Sequence, residues 1–288
     1  GPRAPASPVP CLVEITPAAG SARPPFFCVH PAGGDVLCFV SLARHLGADH
    51  PFFGLRARGL EDDEPPCADL EEMAAHYVAE IRRVQPSGPY RVGGWSFGGL
   101  AAFEMARQLA AAGEEVALLA VLDTGPGNLT LEAGSPSPGF SPDDDVPWLL
   151  AIAEYVRGLR GVDPGVSGEE LAPLEPEARL RRFVERLRAV GILHAGEDGL
   201  RQLRRLLAVY KTNTRIYRSY PPRPYPGPVT LFRAAGAVLD SRLGADLGWG
   251  RLTPRPVTVH EVPGDHITLL AEPNVGALAG RLRACLDG

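Results

Sequence analysis

Val92-Gly93-Gly94-Trp95-Ser96-Phe97-Gly98-Gly99 is the stretch on which the reading of this chain turns. An apolar run, residues 90–94, leads into it, and a helical pattern, residues 97–112, leads out. A serine between a strand and a helix, with glycine two positions away on either side, has a physical meaning. The hydroxyl stands clear of the sheet only if the chain makes a sharp, strained turn. Gly94 and Gly98 sit where side chains would collide across that turn. The helix N-terminus behind Ser96 adds a partial positive charge suited to a developing anion. Ser96 is therefore read as a nucleophile.

The same alternation extends outward. Residues 12–15, 26–29, 52–55, 90–94 and 116–122 read as strands, the last as a continuous apolar run buried on both faces. Helical patterns occupy 36–46, 70–84 and 97–112. Strand and helix in turn predict an α/β protein of the α/β-hydrolase kind, a mostly parallel central sheet with helices on both faces. After residue 125 the pattern breaks. A Gly, Pro, Ser and Asp-rich loop, 125–145, precedes helical patterns at 147–159, 177–190 and 200–217 and a cluster of prolines at 221–228. Strands resume at 229–232 and 257–262, and a last helix is predicted over 273–285. This is a single domain over residues 11–288 with a helical insertion at about 126–222. Gly1-Pro2 reads as a tag scar and residues 3–10, with three prolines, as a linker, which suggests a domain cut from a longer polypeptide.

Bulk properties exclude several classes. The 288 residues are near the upper limit for one hydrophobic core. A net charge of −5 supplies no basic field for nucleic acid. Apolar runs are too short for a membrane span, and no basic region followed by an apolar stretch marks a signal peptide. Five cysteines without a CxxC pair argue against a disulfide framework or a zinc site, and suit reduced thiols in the cytoplasm. No HExxH, P-loop or strand-coupled GxGxxG suggests a metal or cofactor.

A serine nucleophile needs a base and an acid to orient it. In this fold they follow the serine in the order acid, then histidine. That order passes over His30, His45, His50 and His76. His194 lies in the insertion and His260 inside a strand pattern. His266 follows the last strand in a loop, Pro263-Gly264-Asp265-His266, at the sheet end where such folds place their chemistry. Two acids compete. Asp123 ends the strand 116–122, and Asp240 follows the strand 229–232 after a short loop. Both can reach the histidine, and Asp123 has the better fixed geometry. Asp265 adjoins the base too closely in sequence to orient its ring. The oxyanion hole needs two backbone donors. Phe97, the residue after the nucleophile, supplies one, and Ala32, in the loop His30-Pro31-Ala32-Gly33-Gly34, is expected to supply the other.

Taken in order, His30-Pro31-Ala32-Gly33-Gly34, Gly54-Leu55-Arg56-Ala57-Arg58-Gly59, Gly88-Pro89-Tyr90, Gly94-Trp95-Ser96-Phe97-Gly98-Gly99 and Gly264-Asp265-His266 resemble the C-terminal thioesterase domains of nonribosomal peptide synthetases and related polyketide synthases. The resemblance spans nearly the whole chain and is weakest in the insertion. It implies that the acid is Asp123 and that residues 126–222 are a lid over an acyl chamber. It implies further that the serine accepts an acyl chain from the phosphopantetheine thioester of an acyl or peptidyl carrier protein, its neighbour upstream in the same polypeptide. The chain is then released to water or to an internal amine or hydroxyl, with no resident cofactor. A free-standing editing thioesterase would carry the same residues. A lipase or carboxylesterase would show ordinary ester hydrolysis, and a dead binding module would lack an intact Ser96, Asp123 and His266 set. From residue 177 to 218 there are 11 Arg or Lys and 4 Asp or Glu, a local charge of +7. That excess could attract an acidic carrier protein or the pantetheine phosphate, or could be the solvated face of amphipathic helices.

Overall fold

The computed structural model describes residues 10–18, 21–127, 144–193, 196–236 and 243–288. Among these, seven strands form one sheet: β1 (Leu12–Thr16), β2 (Phe26–Val29), β3 (Phe52–Leu55), β4 (Tyr90–Trp95), β5 (Val116–Leu122), β6 (Val229–Ala234) and β7 (Val257–Val262). Their spatial order is β1-β3-β2-β4-β5-β6-β7. Every pair is parallel except β1 with β3. The chain leaves β2 for β3 on one side, then crosses back to β4 on the other. Loops following β2 and β4 therefore diverge at the sheet's carboxyl edge, the place where open α/β sheets form a crevice.

Helices cover both faces. On one face lie α2 (Leu70–Val84) and α3 (Phe97–Ala111); on the other lie α1 (Val40–Leu46) and α8 (Asn274–Asp287). The strands divide their side chains between the two layers with the period of two that a pleated strand imposes. Phe27, Val29, Leu119 and Val121 pack with α2 and α3, whereas Phe26, Cys28, Leu118, Ala120 and Leu122 pack with α1 and α8. This is why residues 116–122 read as unbroken apolar sequence.

Between β5 and β6 run α4 (Val146–Arg160), α5 (Gly168–Leu171), α6 (Pro176–Ala189) and α7 (Gly196–Ser219). Their apolar stripes meet in a third cluster containing Trp148, Leu149, Ile152, Phe183, Leu187, Leu203 and Leu207. The segment thus carries a core of its own. Its last helix is tied back to the sheet domain by Tyr220, whose hydroxyl donates to the buried Glu104 of α3 at 2.5 Å.

Besides shifts of one or two residues at element ends, details differ from the sequence expectation. The helix expected over 36–46 begins as a 3₁₀ turn, Leu37–Phe39, because the Asp35 carboxylate takes the Val36 and Leu37 amides. The short α5 was not foreseen; one turn, capped by Ser167, is too brief for periodicity to reveal. Helix α7 starts four residues before the expected 200–217 pattern and ends two after it. Most of the expected loop at 125–145 lies outside the described residues, as do Asp240 and His194.

Candidate active site

The turn at Ser96 is as tight as its glycines imply. Ser96 has φ 56° and ψ −126°, a conformation that side chains rarely adopt and that carries strain. A Cβ on Gly94 would sit 2.1 Å from the Gly98 carbonyl oxygen, and one on Gly98 would sit 2.2 Å from that of Val29. Both obstacles are backbone and cannot swing away. Ser96 is the residue before α3, so its hydroxyl lies at the helix N-terminus.

Asp123 follows β5 directly and is buried, with φ 49°. Its backbone N–H donates to Phe232 of β6 at 2.8 Å, which extends the sheet by one rung and fixes where the side chain starts. One carboxylate oxygen accepts the Ala234 amide at 2.7 Å. The other lies 2.9 Å from His266 Nδ1, and His266 Nε2 lies 3.0 Å from Ser96 Oγ. Because the carboxylate accepts, Nδ1 carries the ring proton, and Nε2 is left free to accept from the serine hydroxyl. The structure brings Ser96, His266 and Asp123 into one hydrogen-bonded line, although they lie far apart in the sequence.

Asp265, next to the histidine, is committed elsewhere. Its Oδ1 accepts the Ile267 and Thr268 amides at 2.9 and 2.8 Å, and these bonds, that of Thr268 foremost, hold it below the usual carboxylate range. His260 stacks on Phe232 and has its Nε2 3.5 Å from Cys285 Sγ.

A cavity of about 510 Å³ opens beside the serine. Ala32 and Phe97 line it together with Ser96, Asp123 and His266, and neither the Ala32 nor the Phe97 amide meets an acceptor among the described residues. The far wall comes from Tyr210, Thr214 and Tyr217 of α7 and from Leu243 and Leu247 after β6. No described group of His, Cys, Asp and Glu could hold a metal ion.

Several supporting residues had no role in the sequence reading. Trp95 donates its indole N–H to the His266 carbonyl at 3.0 Å and is stacked on Tyr155 of α4. His30, set aside as a base by its place in the chain, is wholly buried and stacks on the Phe97 ring. Tyr217 donates to the Gly125 carbonyl at 3.1 Å, and Asn213 donates to the Ala32 carbonyl at 2.9 Å. The position of His30 at the head of the His-Pro-Ala-Gly-Gly loop was its one available signal; the two α7 residues gave none.

The arginines counted as a cationic surface are largely engaged. Arg201 pairs with Asp198, Arg204 with Glu177, and Arg205 with Asp63 and the Glu61 carbonyl. Exposed pairs of this kind contribute little stability; two of the three acids, Asp198 and Glu177, already stand in the segment's count, and only Asp63 comes from outside it.

Sheet order, strained serine turn and crevice define an α/β-hydrolase. The sequence model of the Thioesterase domain family matches residues 24–286, and the chain belongs to that family. It is 39% identical over 213 residues to the dimodular nonribosomal peptide synthase of Bacillus subtilis (strain 168), covering 74% of this chain and 8% of that protein. It is 34% identical over 280 residues to the indigoidine synthase of Dickeya dadantii (strain 3937), covering 96% of this chain and 18% of that one. The chain thus spans a small part of these relatives. Among solved structures it resembles the holo form of AB3403, a four-domain nonribosomal peptide synthetase, with a TM-score of 0.83 and 28% identity over 96% of this chain and 20% of that one. It also resembles the NocB thioesterase domain, with a TM-score of 0.63 and 28% identity over 93% of this chain and 96% of that one. No described helix is long and apolar enough to cross a membrane.

Proposed function

We propose that this domain releases an acyl or peptidyl chain from the phosphopantetheine thioester of a carrier protein, through an acyl-enzyme on Ser96. The observation that carries the reading is the unbroken line Asp123–His266–Ser96, with contacts of 2.9 and 3.0 Å, at a helix N-terminus beside a cavity. Ser96 Oγ attacks the thioester carbonyl carbon while His266 Nε2 takes its proton. The carbonyl oxygen becomes an oxyanion held by the Ala32 and Phe97 amides. The intermediate collapses by breaking the carbon–sulfur bond, and the imidazolium returns the proton to the departing thiolate. In the second half, His266 deprotonates water, or an amine or hydroxyl of the chain itself, as it attacks the ester carbonyl; the carbon–Oγ bond then breaks and the imidazolium returns the proton to Oγ, restoring Ser96. Asp123 keeps the proton on Nδ1 throughout and stabilises the imidazolium.

Helices α4 to α7 are assigned as a lid, within the insertion at 126–222. Tyr210, Thr214 and Tyr217 form one wall of the acyl cavity, and the helices share a hydrophobic core apart from that of the sheet. The multidomain synthetases among the relatives support a carrier protein as the donor, joined to this domain in one polypeptide. The same context supports chain release over free-standing editing.

The test uses acyl N-acetylcysteamine thioesters and a fluorophosphonate. The wild type is expected to cleave the thioester and to take one phosphonyl adduct, mapped to Ser96 by peptide mass. Ser96→Ala should keep the fold and lose both. Thioester cleavage retained by the folded variant would overturn the assignment.

A further inference from the structure

The loop that presents Ala32 is gripped from two sides, and only one grip belongs to the sheet domain. The first acts on the peptide between Pro31 and Ala32. Its carbonyl accepts from the Gly34 amide at 2.9 Å and faces His30 Nδ1 at 2.7 Å. A carbonyl has no proton to give, so Nδ1 is protonated. Nε2 then accepts from the Tyr77 hydroxyl at 2.7 Å. Burial pushes the His30 imidazole down to about 4, so the ring stays neutral and this arrangement holds. In a trans peptide the N–H points opposite to the C=O. Fixing the Pro31 oxygen therefore fixes the direction of the Ala32 N–H.

The second grip acts on the next peptide, between Ala32 and Gly33. Its carbonyl accepts from Asn213 Nδ2 at 2.9 Å, across 181 residues of sequence. Asn213 sits on α7, with Leu206 and Val209 on the same helical face at spacings of seven and four residues. That face lies against the loop. A Cβ on Gly34 would meet Val209 Cγ1 at 2.7 Å, and one on Gly33 would meet Leu206 Cδ1 at 3.7 Å. Asn213 is 1% exposed, and its Oδ1 is buried with no partner among the described residues. An unpaired buried acceptor is destabilising, because it gives up its hydrogen bond to water without a replacement. A leucine, branched at Cγ in the same way though bulkier, would carry no such unpaired acceptor, so packing alone does not account for an amide here.

We propose that Asn213 is a positioning residue through which the lid completes the oxyanion hole. Helix α7 holds the Ala32 carbonyl, so that with α7 seated both peptides flanking Ala32 are pinned, and the aim that the first grip gives the Ala32 N–H is kept most closely. The same helix presents Tyr210, Thr214 and Tyr217 to the acyl cavity. An acyl group that fits against these three therefore favours the seated helix, and the seated helix favours acylation of Ser96. Selection of the chain and the rate of its transfer are linked through one hydrogen bond. This inference rests on the assignment of Ala32 as an oxyanion donor.

The experiment compares the wild type with Asn213→Leu and Asn213→Ala. Reactive sites are titrated with a fluorophosphonate, and kcat and KM are measured per titrated site with an acyl N-acetylcysteamine thioester. The inhibition constant of an alkylboronic acid, whose adduct places an oxygen in the hole, is measured alongside that of the free carboxylic acid product. Displacement of a catalytic donor by a fraction of an ångström typically lowers turnover by about 10–100-fold. Asn213→Leu should keep its melting temperature, keep KM within about threefold, and lose kcat per site by about that factor. Boronate affinity should weaken in parallel and affinity for the product acid should not. A kcat per site within about threefold of the wild type in either folded variant overturns the inference. So does equal weakening of boronate and product acid, the mark of a general disturbance. A wild type that takes no adduct at Ser96 would instead overturn the underlying functional reading, and the inference with it.

Discussion

Replacing Asp123 by asparagine changes one atom and removes the base from Ser96. In the wild type, one carboxylate oxygen takes the Ala234 amide at 2.7 Å and the other takes His266 Nδ1–H at 2.9 Å. Asparagine offers one acceptor and one donor in place of these two acceptors. With its oxygen on the Ala234 amide, its NH₂ faces Nδ1. The ring then carries its proton on Nε2, toward Ser96, and cannot accept from the hydroxyl. With the amide reversed, NH₂ and the Ala234 N–H confront each other at a buried site. That arrangement costs about 2 kcal/mol, so roughly one molecule in 30 holds the useful tautomer. Those molecules also lack the charge that stabilises the imidazolium. For charges roughly 4 Å apart at an effective dielectric of about 20, this is about 4 kcal/mol, or a factor of about 10³. Together the two effects predict a loss of about 3 × 10⁴ in acylation rate, close to the roughly 10⁴ seen when a triad aspartate is so replaced in a serine protease. Single-turnover acylation by an N-acetylcysteamine thioester, with the melting temperature as a control of folding, measures it. A folded Asp123→Asn within about tenfold of the wild type refutes the reasoning. Asp240→Asn should stay within about threefold, and the reverse ranking would move the acid to the segment after β6.

Two further outcomes follow from backbone strain and from burial. Ser96→Gly should abolish acyl transfer and raise stability by about 1 kcal/mol, because glycine adopts φ 56° without the strain serine bears; denaturant unfolding checks it, and a loss of stability counts against a strained turn. His30 makes the fold sensitive to acid. Burial takes it from 6.5 to about 4, so the unfolded chain binds a proton at a pH where the folded protein does not. Its contribution is complete above about pH 6.5, falls as the pH drops toward 4, and totals about 3 kcal/mol. Unfolding free energies at pH 7.5 and 4.5 should differ less for His30→Gln than for the wild type; equal differences would show that His30 does not titrate this way.

The readable parts of this protein are those governed by rules that act over a dozen residues. Steric exclusion around Ser96 depends on Gly94 and Gly98, which are close in sequence, so the strained turn was legible before any tertiary contact was known. The apolar run at 116–122 announced a strand covered on both faces for the same reason: its burial pattern is written on the strand itself. Order along the chain narrowed the base to His266. It left two acids, Asp123 and Asp240; the place of Asp123 directly at the strand end favoured it, and the resemblance to thioesterase domains supported that choice. Only the folded chain sets the Asp123 carboxylate 2.9 Å from His266, because that distance depends on β5, β6 and the loop after β7 lying side by side. Tertiary structure also adds to the arithmetic of charge: Arg205 of α7 meets Asp63, an acid that the count over residues 177–218 does not contain. Asn213 is the extreme case. In sequence it is one polar residue on an amphipathic helix, with nothing nearby to single it out. Its donor finds the Ala32 carbonyl 181 positions away, and that bond exists only because α7 is laid across the loop after β2. Local patterns determine which elements form; which side chains meet is decided by how those elements close on one another.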